Sequence, residues 1–483
     1  MTGQITLPIW LFVLIVLFAA VTFASHFLFP SVRWFFRRRL ERAVERLNRR
    51  LTRPIEPFKL ARRHDMIQRL VYDPEVTQAI VEHARRNGVR EDVSFETARR
   101  YAREIVPSFS AFAYFGLGTR LARWLVRALY GVKTGRRNTE IIESIDRDAT
   151  VIFIMNHRSN MDYVLVTMLA ARASALSYAV GEWARVWPLS RLIRSMGAYF
   201  IRRKSRGGLY RKVLARYVQM ATAGGVTQAI FPEGGLSLDG ALKPPKLGLL
   251  AYVTEGWDPE GRDLVFVPVA INYDRVLEDR ILVSAGEAGN RRFRARMGVV
   301  FLFVLRMIWR RLWGTYRPFG TAAVVFGEPL ALSHYGAQPD PETLGAELMR
   351  RIQAGMPLLS MPLMAKILLE SEAPIPEADL IARTEAAFRA AEDTAALEPV
   401  EDMGLRARRS CERLARRKLI LHSPEGWAAN PDELPVLRYY ANSIAHFFPP
   451  VPASPGPASP GPTALPKDSA QDAETSGDAA SAK

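Results

Sequence analysis

The sequence predicts an α/β protein: a mixed, mostly parallel sheet flanked by helices, with helical regions on either side of it and one transmembrane helix at the N-terminus. Two observations carry this prediction. Between about residues 100 and 335, short apolar runs alternate with stretches of helical periodicity, the pattern of strands separated by helices. Residues 5–29 contain no Asp, Glu, Lys or Arg, and as a helix those 25 residues reach across about 30 Å of hydrocarbon. A cleaved signal peptide is the rival reading of that stretch, but it lacks a basic leader and exceeds the usual apolar length.

Composition narrows the classes. The chain has 483 residues, 48% of them hydrophobic, and a mean hydropathy of −0.03, which excludes both a wholly disordered chain and a polytopic transporter. A single cysteine, Cys411, excludes a disulfide framework and any multi-thiolate metal centre, which fits a reducing compartment. The seven histidines do not cluster, so no metal and no bound cofactor are expected. Lys and Arg number 66 against 49 acidic residues, a net charge of +17, with only ten lysines among the cations. An arginine-dominated surplus suits bidentate contacts to phosphates.

After the apolar stretch, residues 30–99 read as a basic helical juxtamembrane region. Residues 33–63 hold twelve Lys or Arg and three Glu, which assigns this flank to the cytoplasm and points to anionic headgroups rather than nucleic acid. Residues 109–130 interleave aromatic and arginine side chains, as an in-plane interfacial helix or a helix packed on the core would. The α/β domain is assigned to residues 100–335. Strands are predicted at 150–155, 198–201, 226–231 and 264–271, each ending at polar residues, and ligands of open α/β sheets bind beyond such strand ends. Residues 298–313 are apolar but too short to span a bilayer before Arg306, and are expected either to dip into the interface or to lie beneath the domain. Residues 336–448 are predicted helical. The tail, 449–483, has eight prolines and no aromatic residue, a composition expected to remain disordered.

Four junctions carry the chemistry. The first is NHRSNMD, residues 156–162: a helix starting near Ser159 or Asn160 brings Asp162 into its first turn beside His157, so the carboxylate can hold one imidazole nitrogen and leave the other to take a proton. An incidental His and Asp pair is the bland alternative. The second, GAYFIRR, ends in Arg202 and Arg203, cations suited to a phosphate or simply a solvated edge. The third, FPEGG, supplies Glu233 and the backbone of Gly234 and Gly235, followed by Ser237, Lys243 and Lys246. The fourth, FVPVAINY, contains Pro268, which cannot donate to a ladder and is expected at a strand end or a sheet edge.

In this order and spacing the four segments resemble the motifs of the glycerolipid acyltransferases, and most of all the membrane-bound bacterial glycerol-3-phosphate acyltransferases and their dihydroxyacetone-phosphate relatives. The resemblance is specific over about 100–329, extends to ARRYAREIVPSF and LRYYANSIAHFF, and is thin over 337–436. It implies that His157 is the general base and Asp162 its partner. It also implies that Arg202, Glu233 and Gly234 shape the glycerol-phosphate pocket, with Pro268 on the acyl-donor side. The implied reaction moves a fatty acyl group from a coenzyme A or acyl carrier protein thioester to the sn-1 hydroxyl of glycerol 3-phosphate, at the cytoplasmic face of the bacterial inner membrane. Many relatives have Arg-Ser-Arg after the glycine pair, whereas this chain has Leu236, Ser237 and Leu238. Arg158, Arg203, Lys243 or Lys246 are the substitutes available, or the acceptor is a lysophospholipid or dihydroxyacetone phosphate. An inactive membrane-surface binding protein is the reading from outside enzymology.

Overall fold

Apolar residues at every position from Val151 to Met155 leave that run no solvent face, and in the computed structural model it is a strand buried on both sides. The structure describes residues 8–135, 137–171, 174–181, 185–186, 189–202, 207–289, 306–307, 309–314, 316, 318–335, 340–390 and 403–448, without the side chains of 20, 23–37 and 40. The main sheet contains β1 (Gly131–Thr134), β2 (Thr150–Met155), β3 (Ser177–Val180), β4 (Tyr199–Phe200), β5 (Gln228–Ile230), β6 (Leu264–Tyr273), β7 (Thr321–Phe326) and β8 (Leu330–Ala331). Their order is β1-β7-β6-β2-β5-β3-β4, with β8 also on β6. The β1–β7, β2–β6, β2–β5, β3–β5 and β3–β4 pairs are parallel, and β6 runs antiparallel to β7 and β8.

The side-chain period of two divides the core between the two faces of the sheet. Val151, Phe153 and Met155 of β2 and Val265, Val267 and Val269 of β6 join one cluster, with Leu165 of the helix Met161–Ala170 and with Met364 and Leu437 from the C-terminal region. Ile152 and Ile154 of β2 and Phe266 of β6 join the other, beneath the helices Arg63–Val71, Glu91–Ile105 and Gly208–Ala223. The C-terminal region therefore packs on both faces, since Leu344 and Leu348 of the helix Pro341–Ala354 belong to the second cluster. It is not purely helical: β9 (Ile420–Ser423) and β10 (Gly426–Ala429) form an antiparallel hairpin.

Pro268 departs from expectation. It lies within β6, five residues before the strand ends, in register with Ile154 of β2. On the opposite flank the partner strand changes there: Val269 pairs with Phe326 of β7, Phe266 with Leu330 of β8, and between them the Gly327 N–H donates to the Pro268 carbonyl at 2.8 Å. The missing proline N–H thus falls where the ladder is already interrupted, which is what admits proline to a central strand.

The N-terminal helix runs from Ile9 to Asn48. Among the described residues no helix is long and apolar enough to cross a membrane, so the expected transmembrane span is not found there. Ile9, Trp10, Phe12, Val13 and Leu14 are exposed. The amphiphilic stretch at 109–130 forms a π-helical segment, Phe112–Gly118, leading into the helix Thr119–Leu129. Ala122, Val126 and Leu129 are buried, as in a helix packed on the core, while Phe112, Leu117, Leu121 and Trp124 are exposed. Residues 298–305 of the apolar 298–313 segment, and the tail from 449, lie outside the described residues.

Candidate active site

The chain leaves β2 at the centre of the sheet, between β5 and β6, and residues 156–160 connect it to the helix Met161–Ala170. Asn156 extends the ladder with its side chain: Nδ2 donates to the Ile271 carbonyl at 2.9 Å and Oδ1 accepts the Ile271 N–H at 2.8 Å. The His157 N–H donates to Glu233 Oε1 at 2.8 Å, from the loop after β5. The Ser159 hydroxyl donates to Glu278 Oε2 at 2.9 Å and the Asn160 N–H to Oε1 at 2.7 Å, from the loop after β6. Three neighbouring elements therefore hold this short connection rigid.

Asp162, completely buried in the first turn of the helix, organises the rest. Its Oδ2 accepts from His157 Nδ1 at 2.9 Å, from the Arg158 N–H at 2.7 Å and from the Ser159 N–H at 3.0 Å. Its Oδ1 accepts from the Tyr273 hydroxyl at 2.6 Å. Four donors and the positive end of a helix satisfy a carboxylate that would otherwise be costly to bury. Burial and the adjacent Asp162 raise the Tyr273 phenol well above its ordinary pKa, so it remains a donor. With Nδ1 committed to Asp162, the His157 ring keeps Nε2 as its proton acceptor. The ring is only 3% exposed, lying 4.1 Å from the Phe231 ring and 5.4 Å from an edge-on Tyr163.

The other anticipated residues divide. Glu233 is buried and bonds the backbone of both His157 and Lys243, the latter at 3.3 Å; burial pushes its carboxyl up, opposed by the Arg158 charge. Gly234 adopts φ +66°, with the Lys246 side chain across the space a Cβ would occupy, and half-buried Gly235 follows it. Ser237 is buried rather than open to a ligand: its N–H donates to the His157 carbonyl at 3.0 Å and its hydroxyl lies 2.8 Å from the Ala241 carbonyl. It therefore buttresses the loop.

Arg158 and Arg202 are engaged elsewhere. Arg158 is 2% exposed and turned under the C-terminal region, with Nη2 3.4 Å from the Ser443 carbonyl. Arg202 follows β4, three strand spacings from β2, roughly 14 Å. Glu104 grips it at both ends, Nε to Oε1 at 2.9 Å and Nη2 to Oε2 at 2.6 Å. Arg203 lies outside the described residues. Leu236 and Leu238 pack against the core. Asn156, Tyr273 and Glu278, which hold the pair in place, went unassigned by sequence reasoning; a polar residue ending an apolar run is the only signal they carry.

The same C-terminal contact places His446 near Arg158. Burial, and then the Arg158 charge, lower the His446 pKa to about 4 from an ordinary 6.5. The unfolded chain binds more protons between those values, so stability rises with pH from about 4 to 6.5 and is lost on acidification across that window. Denaturant unfolding at stepped pH should show that rise, and His446→Gln should flatten it.

A buried imidazole on the loop after a central strand and a carboxylate in the first turn of the following helix, with a glutamate and glycine pair from the next loop, lie within a segment that comparison with known proteins matches to an acyltransferase domain. The family model for acyltransferases matches residues 136–272, and that for the glycerol-3-phosphate acyltransferase C-terminal region matches 307–451, including the part where motif resemblance is thin. Over these two regions the chain is similar to bacterial glycerol-3-phosphate acyltransferases. The glycerol-3-phosphate acyltransferase of Aeromonas hydrophila is 29% identical over 340 residues, covering 65% of this chain and 40% of that protein. The enzyme of the same name from Ectopseudomonas mendocina is 31% identical over 288 residues, 58% of this chain and 33% of that protein. The chain thus matches between a third and two-fifths of the length of these relatives. The crystal structure of the 1-acyl-sn-glycerophosphate acyltransferase of Thermotoga maritima aligns at a TM-score of 0.32 and 19% identity, over 53% of this chain and 79% of that one.

Proposed function

We propose that the chain is a glycerol-3-phosphate 1-O-acyltransferase that uses an acyl thioester of coenzyme A or acyl carrier protein as donor and requires no cofactor. The observation that carries this is the 2.9 Å contact between His157 Nδ1 and a carboxylate that is itself fully bonded. Nε2 takes the proton of the acceptor hydroxyl as its oxygen attacks the thioester carbonyl. The thiolate departs as the tetrahedral intermediate collapses and is protonated by the imidazolium. No covalent acyl-enzyme is needed. Glu233 contributes by fixing the backbone of His157. Purified protein given a panel of acceptors with an acyl-coenzyme A or acyl carrier protein donor is expected to acylate glycerol 3-phosphate fastest. A stronger preference for a lysophospholipid or dihydroxyacetone phosphate supports the second reading, which Leu236 and Leu238 favour.

The site of action we assign is the cytoplasmic face of the bacterial inner membrane, with residues 5–29 as a single-pass anchor and the arginine-rich flank against anionic lipid. The charge-free stretch and the +17 charge support this. A groove of about 380 Å³ between the first helix and the π-helical segment, lined by Leu47, Phe112 and Phe115 with Arg46 and Arg50 at its rim, adds a lipid-compatible surface. Nucleic acid is not a partner in this reading. Flotation with anionic vesicles should retain the wild type and lose an Arg46→Glu, Arg50→Glu variant lacking residues 1–29; equal flotation of both argues against this assignment.

A further inference from the structure

We propose that a basin lined by Arg275, Arg280 and Arg417 is a binding site for a phosphate group carried by a substrate. It rests on the acyl-transfer reading and adds to it an anionic subsite beside β6. The basin encloses about 300 Å³, several times the volume of a phosphate, and Glu278 and Asp279 complete its polar lining.

The pairing of its charges favours an anion. Asp279 is taken up by Arg417 Nη2 and the Tyr440 hydroxyl. Glu278 already accepts from Ser159 and Asn160, and Arg280 contacts Glu433 at 2.8 Å. Arg275 makes no ion pair with an acid among the described residues, though the Asp279 charge acts on it: its guanidinium carbon stands 4.1 Å from the centroid of the Phe319 ring, and its buried Nε has no hydrogen-bond partner among the described residues. A guanidinium stacked on an aromatic face directs its N–H edge at a coplanar oxyanion.

Position links the basin to the reaction. Its loop leaves β6, the strand beside β2, and Glu278 contacts residues two and three beyond His157. Arg202, by contrast, stands three strands away and is held by Glu104. Leu236 and Leu238 offer a phosphate no charge. The phosphate ester of the acceptor and the phosphates of the donor's pantetheine arm share the chemistry the basin recognises.

Two measurements on the full chain test this. Millimolar inorganic phosphate, against chloride at equal ionic strength, should raise the thermal midpoint of the wild type and not of Arg275→Gln. In steady-state assays the same variant should raise KM at least tenfold for one phosphate-bearing substrate with kcat within threefold. A rise confined to glycerol 3-phosphate identifies the acceptor, and one confined to the thioester identifies the donor. Equal phosphate stabilisation of both proteins, or both KM values unmoved, overturns the proposal. Phosphate protection lost in the variant, with no acyl transfer by the wild type, would keep the subsite and refute the reaction. Arg280→Gln, at a half-exposed position, replaces Arg275→Gln if that protein does not fold.

Discussion

Replacing His157 with alanine is expected to lower kcat for acyl transfer by at least about a hundredfold while leaving the folded protein intact. The loss follows from removing the group we assign as the base for the acceptor proton. Its neighbours support that separation of function from folding: Asp162 keeps the N–H bonds of Arg158 and Ser159 and the Tyr273 hydroxyl after the imidazole has gone. Truncation leaves a small cavity beside Phe231 and Tyr163. Labelled acyl transfer to glycerol 3-phosphate, with circular dichroism as the folding control, measures both halves of the expectation. Activity close to the wild type would remove His157 as the base.

The largest expected effect on stability comes from Gly240→Ala. Gly240 sits at φ +84°, a left-handed conformation that disfavours any Cβ, and a Cβ there would overlap the backbone carbonyl of Tyr439. The approach is close because the segment around Leu434–Asn442 clamps the active-site loops. Asn442 Nδ2 donates to the Asp239 carbonyl at 2.9 Å, the Tyr439 hydroxyl to the Arg158 carbonyl at 3.3 Å, and the Val276 N–H to the Tyr440 hydroxyl at 3.1 Å. Strain and overpacking together should cost on the order of 3 kcal/mol. Chemical denaturation should register that loss, with activity falling as the loops separate. Gly248→Ala is the control, since its Cβ meets open space at the start of a helix, and should leave stability unchanged or slightly improved.

What was readable in the sequence was governed by local periodicity and local chemistry. β2 and β6 were legible because uninterrupted apolar runs have no other way to be buried. The His157 and Asp162 pair was legible because one helix start fixes their relation, with His157 on the short connection before it and Asp162 in its first turn. β1, β3, β7 and β8 were missed: Gly131–Thr134 is largely exposed, and segments as short as β1, β3 and β8 owe their conformation to the strands beside them, whereas β7 is a largely buried, mostly apolar run of six residues that the strand assignment passed over. Pro268 reads from sequence as a strand end or a sheet edge because the break in its neighbouring ladder depends on residues some sixty positions away.

The partners of Arg158 and Arg202 were illegible for a related reason. Charge composition says that arginines seek acids or anions but does not say which. Arg202 finds Glu104 across 98 residues and Arg158 finds the Ser443 carbonyl across 285. Glu278, equally distant from the motif it supports, shows the same limit from the acidic side. Long-range partners that hold a loop leave no spacing to read.

The proton on the His157 ring offers the most direct test of the proposed chemistry. Nitrogen-15 NMR of histidine-labelled protein, with the His157 signals assigned by their loss in His157→Ala, reports which ring nitrogen carries hydrogen. In the neutral ring, Nδ1 should carry the hydrogen toward Asp162 and Nε2 should be bare, poised to accept from a hydroxyl. A neutral ring protonated at Nε2 instead would mean that the imidazole cannot serve as the base, and the catalytic assignment would fall with it.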